Sequence, residues 1–359
     1  MLKKLLAITT IFILLFAIVG CQTDTSDDPG TDDPVDTPDD GVSKIIMITD
    51  TGGIHDKSFN QSAWEGLQTL VDKYPDVEFN YILSNSETEY ASNMRTAVDS
   101  GSDLTWAVGF MLADDMAEIA DSMPDAKFGI IDVDWLDYEN LVQVAFKEHE
   151  GSFLVGLVAG MTTESNKVAF VGGMSGDLIK RFEVGFRAGV KAVNPDAEIQ
   201  VAYVESWDNT QIAKETADTM FDQGADVIYH AAGGAGVGVF ESAKARGTGP
   251  EGFWTIGVDR DQYEEAPDNM LTSMFKNVGG AMAMLSERLI ADGIFNGGEV
   301  LLLGLAEDGV GVAPTSDITI PEEIREDVFA TIEEYTEMIK SGELVVPATE
   351  DQFEEYMGN

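Results

Sequence analysis

The globular part of the chain opens with Lys44-Ile45-Ile46-Met47-Ile48-Thr49-Asp50-Thr51-Gly52-Gly53, an apolar run that ends in an acid and two glycines. Such a run predicts a buried strand, and the glycines predict the turn that follows it. The next stretch, from Ser58 to Lys73, has apolar residues with helical spacing at Phe59, Ala63, Leu67, Leu70 and Val71. A strand, a turn and an amphipathic helix form the repeating unit of α/β proteins, so this class is predicted here.

The same alternation continues almost to the end of the chain. Apolar runs of strand length occupy residues 44–49, 77–83, 104–108, 127–131, 141–146, 168–171, 199–204, 227–229, 254–258 and 271–275. Helical spacing of apolar residues recurs at 58–73, 177–193, 211–221 and 280–291. This pattern predicts parallel sheets covered by helices. About 315 residues follow Ser43, more than one ordinary core holds, so we expect two doubly wound lobes.

Acids and glycines follow most of these strands directly. They are Asp50 with Gly52 and Gly53, Gly109 with Phe110 after it, Asp132, Gly172 with Gly173, Gly233 with Gly234, and Asp259. Open α/β sheets bind ligands in the crevice at the carboxyl ends of their strands, where glycine permits close backbone approach. Any one of these glycines alone is compatible with an ordinary turn. Their recurrence at successive strand ends predicts a ligand cleft between two lobes.

Several classes of enzyme lack their signatures in this chain. Residues 233–238 contain Gly-x-Gly-x-Gly spacing from Gly234, but Val239 occupies the position of the last glycine in a dinucleotide-binding fingerprint. Neither a P-loop nor a Gly-x-Ser-x-Gly nucleophile elbow occurs. The three histidines are scattered and the chain has one cysteine, so we expect no metal site and no cofactor.

The amino terminus has the layout of a bacterial lipoprotein signal. Lys3 and Lys4 precede an apolar run of about 15 residues from Leu5 to Val19, shorter than the roughly 20 residues of a membrane-spanning helix. The stretch from Ile18 to Cys21 resembles a lipobox, so we expect residues 1–20 to be removed and Cys21 to carry lipid. An ordinary secreted protein with a free thiol, or an uncleaved anchor, is the alternative. Residues 21–43 contain eight Asp and three Pro, a composition typical of a disordered tether.

The chain is strongly acidic, with a formal net charge of −44. Without Lys3 and Lys4 the charge would be −46, and the eight tether aspartates leave −38 on the folded body. A surface of this charge repels nucleic acid, so we expect no nucleic-acid partner.

A longer stretch that includes the opening strand end carries a family resemblance: Ile48-Thr49-Asp50-Thr51-Gly52-Gly53-Ile54-His55-Asp56-Lys57-Ser58-Phe59-Asn60-Gln61-Ser62-Ala63-Trp64-Glu65-Gly66. It closely resembles the opening signature of the basic membrane protein family, the PnrA-like purine nucleoside receptors. Further matching stretches lie at 150–156, 182–190, 231–236, 256–262 and 309–314. The resemblance implies a type I periplasmic-binding-protein fold and delivery of nucleosides to an ABC importer.

This resemblance also implies roles for individual residues. A purine has flat apolar faces, so Phe59 and Trp207 are expected to stack on it from opposite lobes. Asp50, Asp56, Asn60 and Asp132 are expected to bind the edge of the base, and Asp259, Lys276 and the amides of Gly233 and Gly234 the sugar. Simpler roles remain open: a core position for Phe59, strand capping for Trp207, helix capping for Asp56, and a surface cation for Lys276.

The family fold implies three chain crossings between the lobes. Lobe one is expected to comprise residues 44–148 plus 276–305, and lobe two residues 149–275 plus 306–359. We expect hinge closure on the ligand, a separate permease and ATPase, and a monomer held on the outer face of the cell membrane by its lipid. A lipoprotein that binds another small ligand for sensing is the second hypothesis, and a cofactor-dependent enzyme is the third.

Overall fold

The computed structural model describes residues 41–358, so the predicted signal peptide, Cys21 and nearly all of the predicted tether lie outside the described residues. The strands within residues 41–358 are β1 (Lys44–Thr49), β2 (Glu78–Ile82), β3 (Leu104–Val108), β4 (Phe128–Ile131), β5 (Leu141–Phe146), β6 (Lys167–Gly172), β7 (Glu198–Tyr203), β8 (Val227–Ala231), β9 (Trp254–Asp259), β10 (Met270–Lys276), β11 (Val300–Leu303) and β12 (Val310–Val312). The α-helices are α1 (Phe59–Gln68), α2 (Tyr90–Asp99), α3 (Ala113–Ser122), α4 (Glu148–Thr162), α5 (Asp177–Val193), α6 (Thr210–Asp222), α7 (Val237–Arg246), α8 (Val278–Asp292), α9 (Ser316–Thr319), α10 (Glu322–Ser341) and α11 (Glu350–Gly358).

These strands form two six-stranded sheets, which confirms the prediction of two α/β lobes. The first sheet has the order β11-β5-β4-β3-β1-β2 and is parallel throughout. The second has the order β12-β10-β9-β8-β6-β7, with only β12 antiparallel to its neighbour. The chain passes from one sheet to the other after β5, after β10 and after β11. The residue bounds of the two lobes stay a prediction.

The opening strand shows why the sheets are covered on both faces. Ile45 and Met47 of β1 pack into one apolar cluster, and Ile46 and Ile48 pack into another. Alternate side chains of a strand point to opposite faces, so both faces of the sheet are buried. A continuous apolar run is therefore what this position requires.

Some elements missed or misplaced by the sequence prediction have a weak periodic signal, whereas α2, α3 and α10 are amphipathic helices that the prediction left out. β11 and β12 are edge strands of four and three residues, too short to show a pattern. Helix α4 is buried on nearly every side from Glu148 to Gly160, so it has no polar face to reveal its period. The predicted helix 58–73 ends earlier, at Gln68, where the hydroxyl of Thr69 donates to the carbonyl oxygen of Gly66 at 2.6 Å. This side-chain bond competes with the helical pattern.

Helices α4 and α5 cross at glycines, and this contact sets the position of both helices relative to the sheet. A methyl group on Gly189 would overlap the carbonyl oxygen of Phe153, and one on Gly156 would overlap that of Phe186. At a crossing this close, backbone meets backbone and no side chain fits between. The first residues of α4 and α5 approach the cleft described below.

None of the helices within residues 41–358 combines the length and the hydropathy needed to cross a bilayer.

The glycine crossing predicts that Gly189→Ala destabilises the fold. The added methyl group must separate α4 from α5, and overpacking of this kind costs about 1 to 3 kcal/mol. The higher helix propensity of Ala offsets part of the loss, by up to about 1 kcal/mol. We expect the free energy of unfolding, measured by denaturant titration, to fall by about 2 kcal/mol.

Gly311→Ala is the matched control. No atom lies within 4 Å of a Cβ built at Gly311. Its free energy of unfolding should stay within about 0.5 kcal/mol of the original. Equal effects of the two substitutions would show that the helix crossing tolerates a methyl group.

Candidate functional site

A cleft lies between residues of the two sheets. Its wall contains every residue predicted from the sequence to bind ligand, which are Asp50, Asp56, Phe59, Asn60, Asp132, Trp207, Gly233, Gly234, Asp259 and Lys276. The fold thus brings them together, although their individual roles stay predictions.

Asp50 and Asn60 form a buried pair at the end of β1. Oδ1 of Asp50 accepts hydrogen bonds from the amide of Gly52 and from Nδ2 of Asn60, both at 2.8 Å. These bonds fix the orientation of the Asn60 amide, whose Oδ1 is buried and has no hydrogen-bond partner among residues 41–358. A buried acceptor without a partner is costly, so this atom marks a position where a ligand donor is favoured.

Asp56 caps the start of α1 with its side chain, although the N-cap position itself belongs to Ser58 and not to Asp56 as predicted. Its carboxylate accepts hydrogen bonds from the amides of Ser58 at 2.9 Å, Asn60 at 2.8 Å and Gln61 at 3.0 Å. These are amides around the first turn of α1, which have no partners within the helix. Asp56 therefore orients the start of α1 while it also lines the cleft.

Asp132 and Asp259 stand in matching places in the two lobes, directly after β4 and as the last residue of β9. Each has a φ of 67°, in the left-handed region that residues with a Cβ seldom adopt. Strained conformations of this kind cluster at functional sites, because the surrounding structure holds them for a purpose other than stability. Both side chains are buried, at 5% exposure.

Lys276, the last residue of β10, is only 1% exposed, so the alternative of a surface cation is wrong. Its Nζ lies 2.6 Å from Asp132 Oδ1 and 3.2 Å from Glu148 Oε1. Burial lowers the pKa of Lys276, but Asp132, Glu148 and Asp259 raise it by more, so the ammonium stays charged. The rings of Phe59 and Phe182 lie 5.1 and 5.5 Å from the same nitrogen.

Aromatic side chains from both lobes wall the cleft. The Trp207 ring lies against Gly173, where a Cβ would overlap it, and meets the Phe110 ring edge-on with centroids 6.5 Å apart. Nε1 of Trp207 donates to the sulfur of Met111 across the cleft at 3.1 Å. The sequence prediction assigned no ligand-binding role to Phe110, Met111 or Phe182. Phe110 followed a strand-end glycine and could have been found, whereas Phe182 resembles any core residue of an amphipathic helix.

Direct contacts between the lobes hold the cleft in a closed arrangement. The hydroxyl of Ser58 donates to the Asp259 carboxylate, and Nε2 of Gln262 donates to the carbonyl oxygen of Lys57 at 2.8 Å.

Within residues 41–358, no cluster of His, Cys, Asp and Glu has the arrangement of a metal site.

Burial changes the titration of the cleft acids. Desolvation raises the pKa of Asp50 to about 6, against the opposing hydrogen bonds from Gly52 and Asn60. Desolvation raises the pKa of Asp259 to about 7, against Lys276 and the Ser58 hydroxyl. Near neutral pH both protonation states of each group are accessible, so each can accept a hydrogen bond and, when protonated, donate one.

The raised pKa of Asp259 predicts that its contribution to stability is lost as the pH increases. Between the ordinary value of 3.8 and about 7, the unfolded carboxyl is ionised while the folded one is protonated, so higher pH favours unfolding. From pH 5 to pH 7 the ligand-free protein should lose about 2 kcal/mol relative to Asp259→Asn, at about 1.4 kcal/mol per pH unit. Denaturant titrations of both proteins from pH 5 to 8 measure this difference.

Asp268→Asn, at an exposed position, is the control and should parallel the original protein at every pH. A constant difference between Asp259→Asn and the original protein would mean that Asp259 titrates as an ordinary exposed acid.

Comparisons with known proteins agree with this architecture. The family model described as "ABC transporter substrate-binding protein PnrA-like" matches residues 43–350. The chain is 42% identical to a CD4+ T-cell-stimulating antigen of Listeria innocua, over 96% of this chain and 99% of that protein. It is 33% identical to the ABC transporter nucleoside-binding protein BmpA of Lactococcus lactis, again over 96% and 99%.

A solved ABC transporter solute-binding protein from Aeropyrum pernix superimposes with a TM-score of 0.76 at 28% identity, over 87% of this chain and 95% of that one. A sugar-binding protein of a Bacillus halodurans ABC transporter, at 13% identity and a TM-score of 0.59 over 77% and 98%, supports the fold alone. The fold is thus the type I periplasmic-binding fold, and the family resemblance seen in the sequence is confirmed. The chain belongs to the PnrA-like family of ABC transporter substrate-binding proteins.

Proposed function

We propose that this substrate-binding protein captures purine nucleosides outside the cytoplasm and delivers them to an ABC importer. The observation that carries the proposal is the cleft wall. Aromatic side chains from both lobes surround it, and the buried Oδ1 of Asn60 lacks a hydrogen-bond partner among residues 41–358. A flat apolar ring that carries a donor on its edge satisfies both features. The nucleoside-binding name of the Lactococcus lactis relative points the same way.

Phe59 and Trp207 are proposed to stack on the two faces of the base. The contact between Trp207 and Gly173 holds the indole in place, so little rotamer entropy is lost on binding. Asn60 Oδ1 and the Asp50 carboxyl, with a pKa of about 6, bind the edge of the base, since together they can accept and donate.

Asp259 and Lys276 are proposed to bind the sugar, and Asp132, predicted from the sequence to bind the edge of the base, is assigned to the sugar instead because it pairs with Lys276. Neighbouring ribose hydroxyls suit a carboxylate that accepts two hydrogen bonds, and the Lys276 ammonium is held beside them by Asp132. Asp56 acts mainly by orienting the start of α1. The amides of Gly233 and Gly234 begin a helical turn after β8 and therefore supply donors without helical partners.

Closure of the lobes on the ligand is the proposed signal to the permease. The contacts of Ser58 with Asp259 and of Lys57 with Gln262 link the two lobes beside the cleft. A ligand that bridges the same residues adds to them and favours the closed form.

Calorimetric titration tests the ligand assignment. The full-length protein, purified in detergent and refolded to remove bound ligand, should bind adenosine, guanosine or inosine more tightly than free bases, ribose, pyrimidine nucleosides or NAD. Trp207→Ala should weaken purine nucleoside binding by about 100-fold, because it removes one stacking face and its buried area. Trp64→Ala is the matched control: Trp64 packs on Tyr81, with ring centroids 4.9 Å apart, and does not line the cleft. Its affinity should be unchanged. No heat with any nucleoside would reject the proposal and favour another small ligand.

The protein is also proposed to be anchored to the membrane by lipid on Cys21. Cys21→Ser removes the thiol that would be acylated, so the protein should move from the membrane fraction to the soluble fraction of an expressing bacterium. Metabolic labelling with a fatty acid provides the second measurement. Membrane retention of the Cys21→Ser protein would exclude the lipid anchor.

A further inference from the structure

We propose that Glu148 sets the preference for unphosphorylated ligands. From a position behind the cleft, its carboxylate pairs with the Lys276 ammonium and so reduces the positive charge available to a ligand. This inference rests on the nucleoside-binding function proposed above. Glu148 does not line the cleft, so it acts through Lys276 as a positioning residue.

Glu148 begins α4 and is completely buried. Oε1 lies 3.2 Å from Lys276 Nζ, and Oε2 lies 3.5 Å from Nη1 of Arg181 on α5. Neither oxygen accepts a hydrogen bond of good geometry from residues 41–358. The carboxylate therefore contributes its charge rather than a hydrogen-bond network. Burial raises the pKa of Glu148, and the charges of Lys276 and Arg181 oppose that rise.

Stability alone gives a weak reason for a carboxylate at this place. Burial of an ion pair costs several kcal/mol per ion in desolvation, and an apolar replacement for such a pair is often neutral or stabilising. Lys276 already has Asp132 as a counterion at 2.6 Å. The second carboxylate is thus unnecessary for pairing the ammonium, and it changes what the ammonium can bind.

With Asp132 in front and Glu148 behind, two carboxylates face the ammonium of Lys276, and Arg181 beside Glu148 offsets part of their negative charge. A ribose hydroxyl is neutral and can still accept a hydrogen bond from the ammonium. A phosphate ester carries close to two negative charges at neutral pH and meets an ammonium whose charge is already balanced by carboxylates. Glu148 thereby removes the anion affinity that a buried lysine would otherwise provide.

The test is Glu148→Gln, which keeps the shape of the side chain and removes its charge. Titrations with adenosine and AMP give the dissociation constant of AMP divided by that of adenosine. We expect this ratio to be large for the original protein. In the Gln variant the ratio should fall by about tenfold, because AMP binding improves while adenosine binding changes little. A merely structural role would weaken both ligands alike and leave the ratio unchanged, which would overturn the proposal.

Glu183→Gln is the matched control. Glu183 on α5 is also buried, at 2% exposure, and pairs with Lys180 at 2.6 Å and Arg187 at 2.8 Å, but it lies outside the cleft wall. The control should lower the melting temperature without a change in the ratio. In a Lys276→Gln background, Glu148→Gln should no longer change the ratio, because the coupling runs through the ammonium. A full effect in that background would contradict the mechanism.

Two further measurements keep the inference testable on its own. If Glu148→Gln does not fold, Glu148→Asp draws the carboxylate back from Lys276 and should lower the ratio by about threefold; an unchanged ratio in a folded Asp variant rejects the inference. If the original protein binds no nucleoside, the proposed function fails, and inorganic phosphate becomes the probe. Glu148→Gln should then bind phosphate where the original protein does not, and absence of that gain rejects the role of Glu148.

Discussion

The buried ammonium of Lys276 is the constraint around which the cleft is organised. A charge with 1% exposure must be paired, and its partners come from separate parts of the chain: Asp132 follows β4, and Glu148 begins α4. Phe59 and Phe182 place their rings beside the same nitrogen from α1 and α5. One cation thus ties together strand ends and helix starts close to the crossings between the two sheets.

This arrangement requires a rigid scaffold, which the glycine crossing of α4 and α5 provides. At that crossing the two helices approach so closely that neither Gly156 nor Gly189 has room for a methyl group. The helices therefore cannot slide without a clash, and Glu148 and Phe182 keep their places. At the strand ends, Asp132 and Asp259 hold left-handed backbone conformations. The stability of the sheets offsets the cost of this backbone strain, and the strained conformations direct both carboxylates into the cleft.

Much of the fold and of the candidate site could be predicted from local sequence. The apolar runs located the central strands, and the acids and glycines after them located the cleft, because parallel strands bring their carboxyl ends to one edge. The prediction failed at α4 and β12, where local pattern carries no information, and it also left out the amphipathic helices α2, α3 and α10. α4 is buried all round and β12 has three residues, so neither shows a period. Met111 and Phe182 look like core residues, and only the assembled lobes bring them to the cleft.

By itself the sequence determined the α/β class, the two-lobed organisation, the family and ten of the residues that line the cleft, since each depends on composition, periodicity or the family resemblance carried by contiguous motifs. The tertiary structure alone decided how those residues share their charges and hydrogen bonds. It paired Lys276 with Asp132 and Glu148, engaged Asp56 with the amides around the start of α1, and left Oδ1 of Asn60 without a partner among residues 41–358. These outcomes depend on distances of a few ångströms between residues far apart in the chain, which no local pattern encodes.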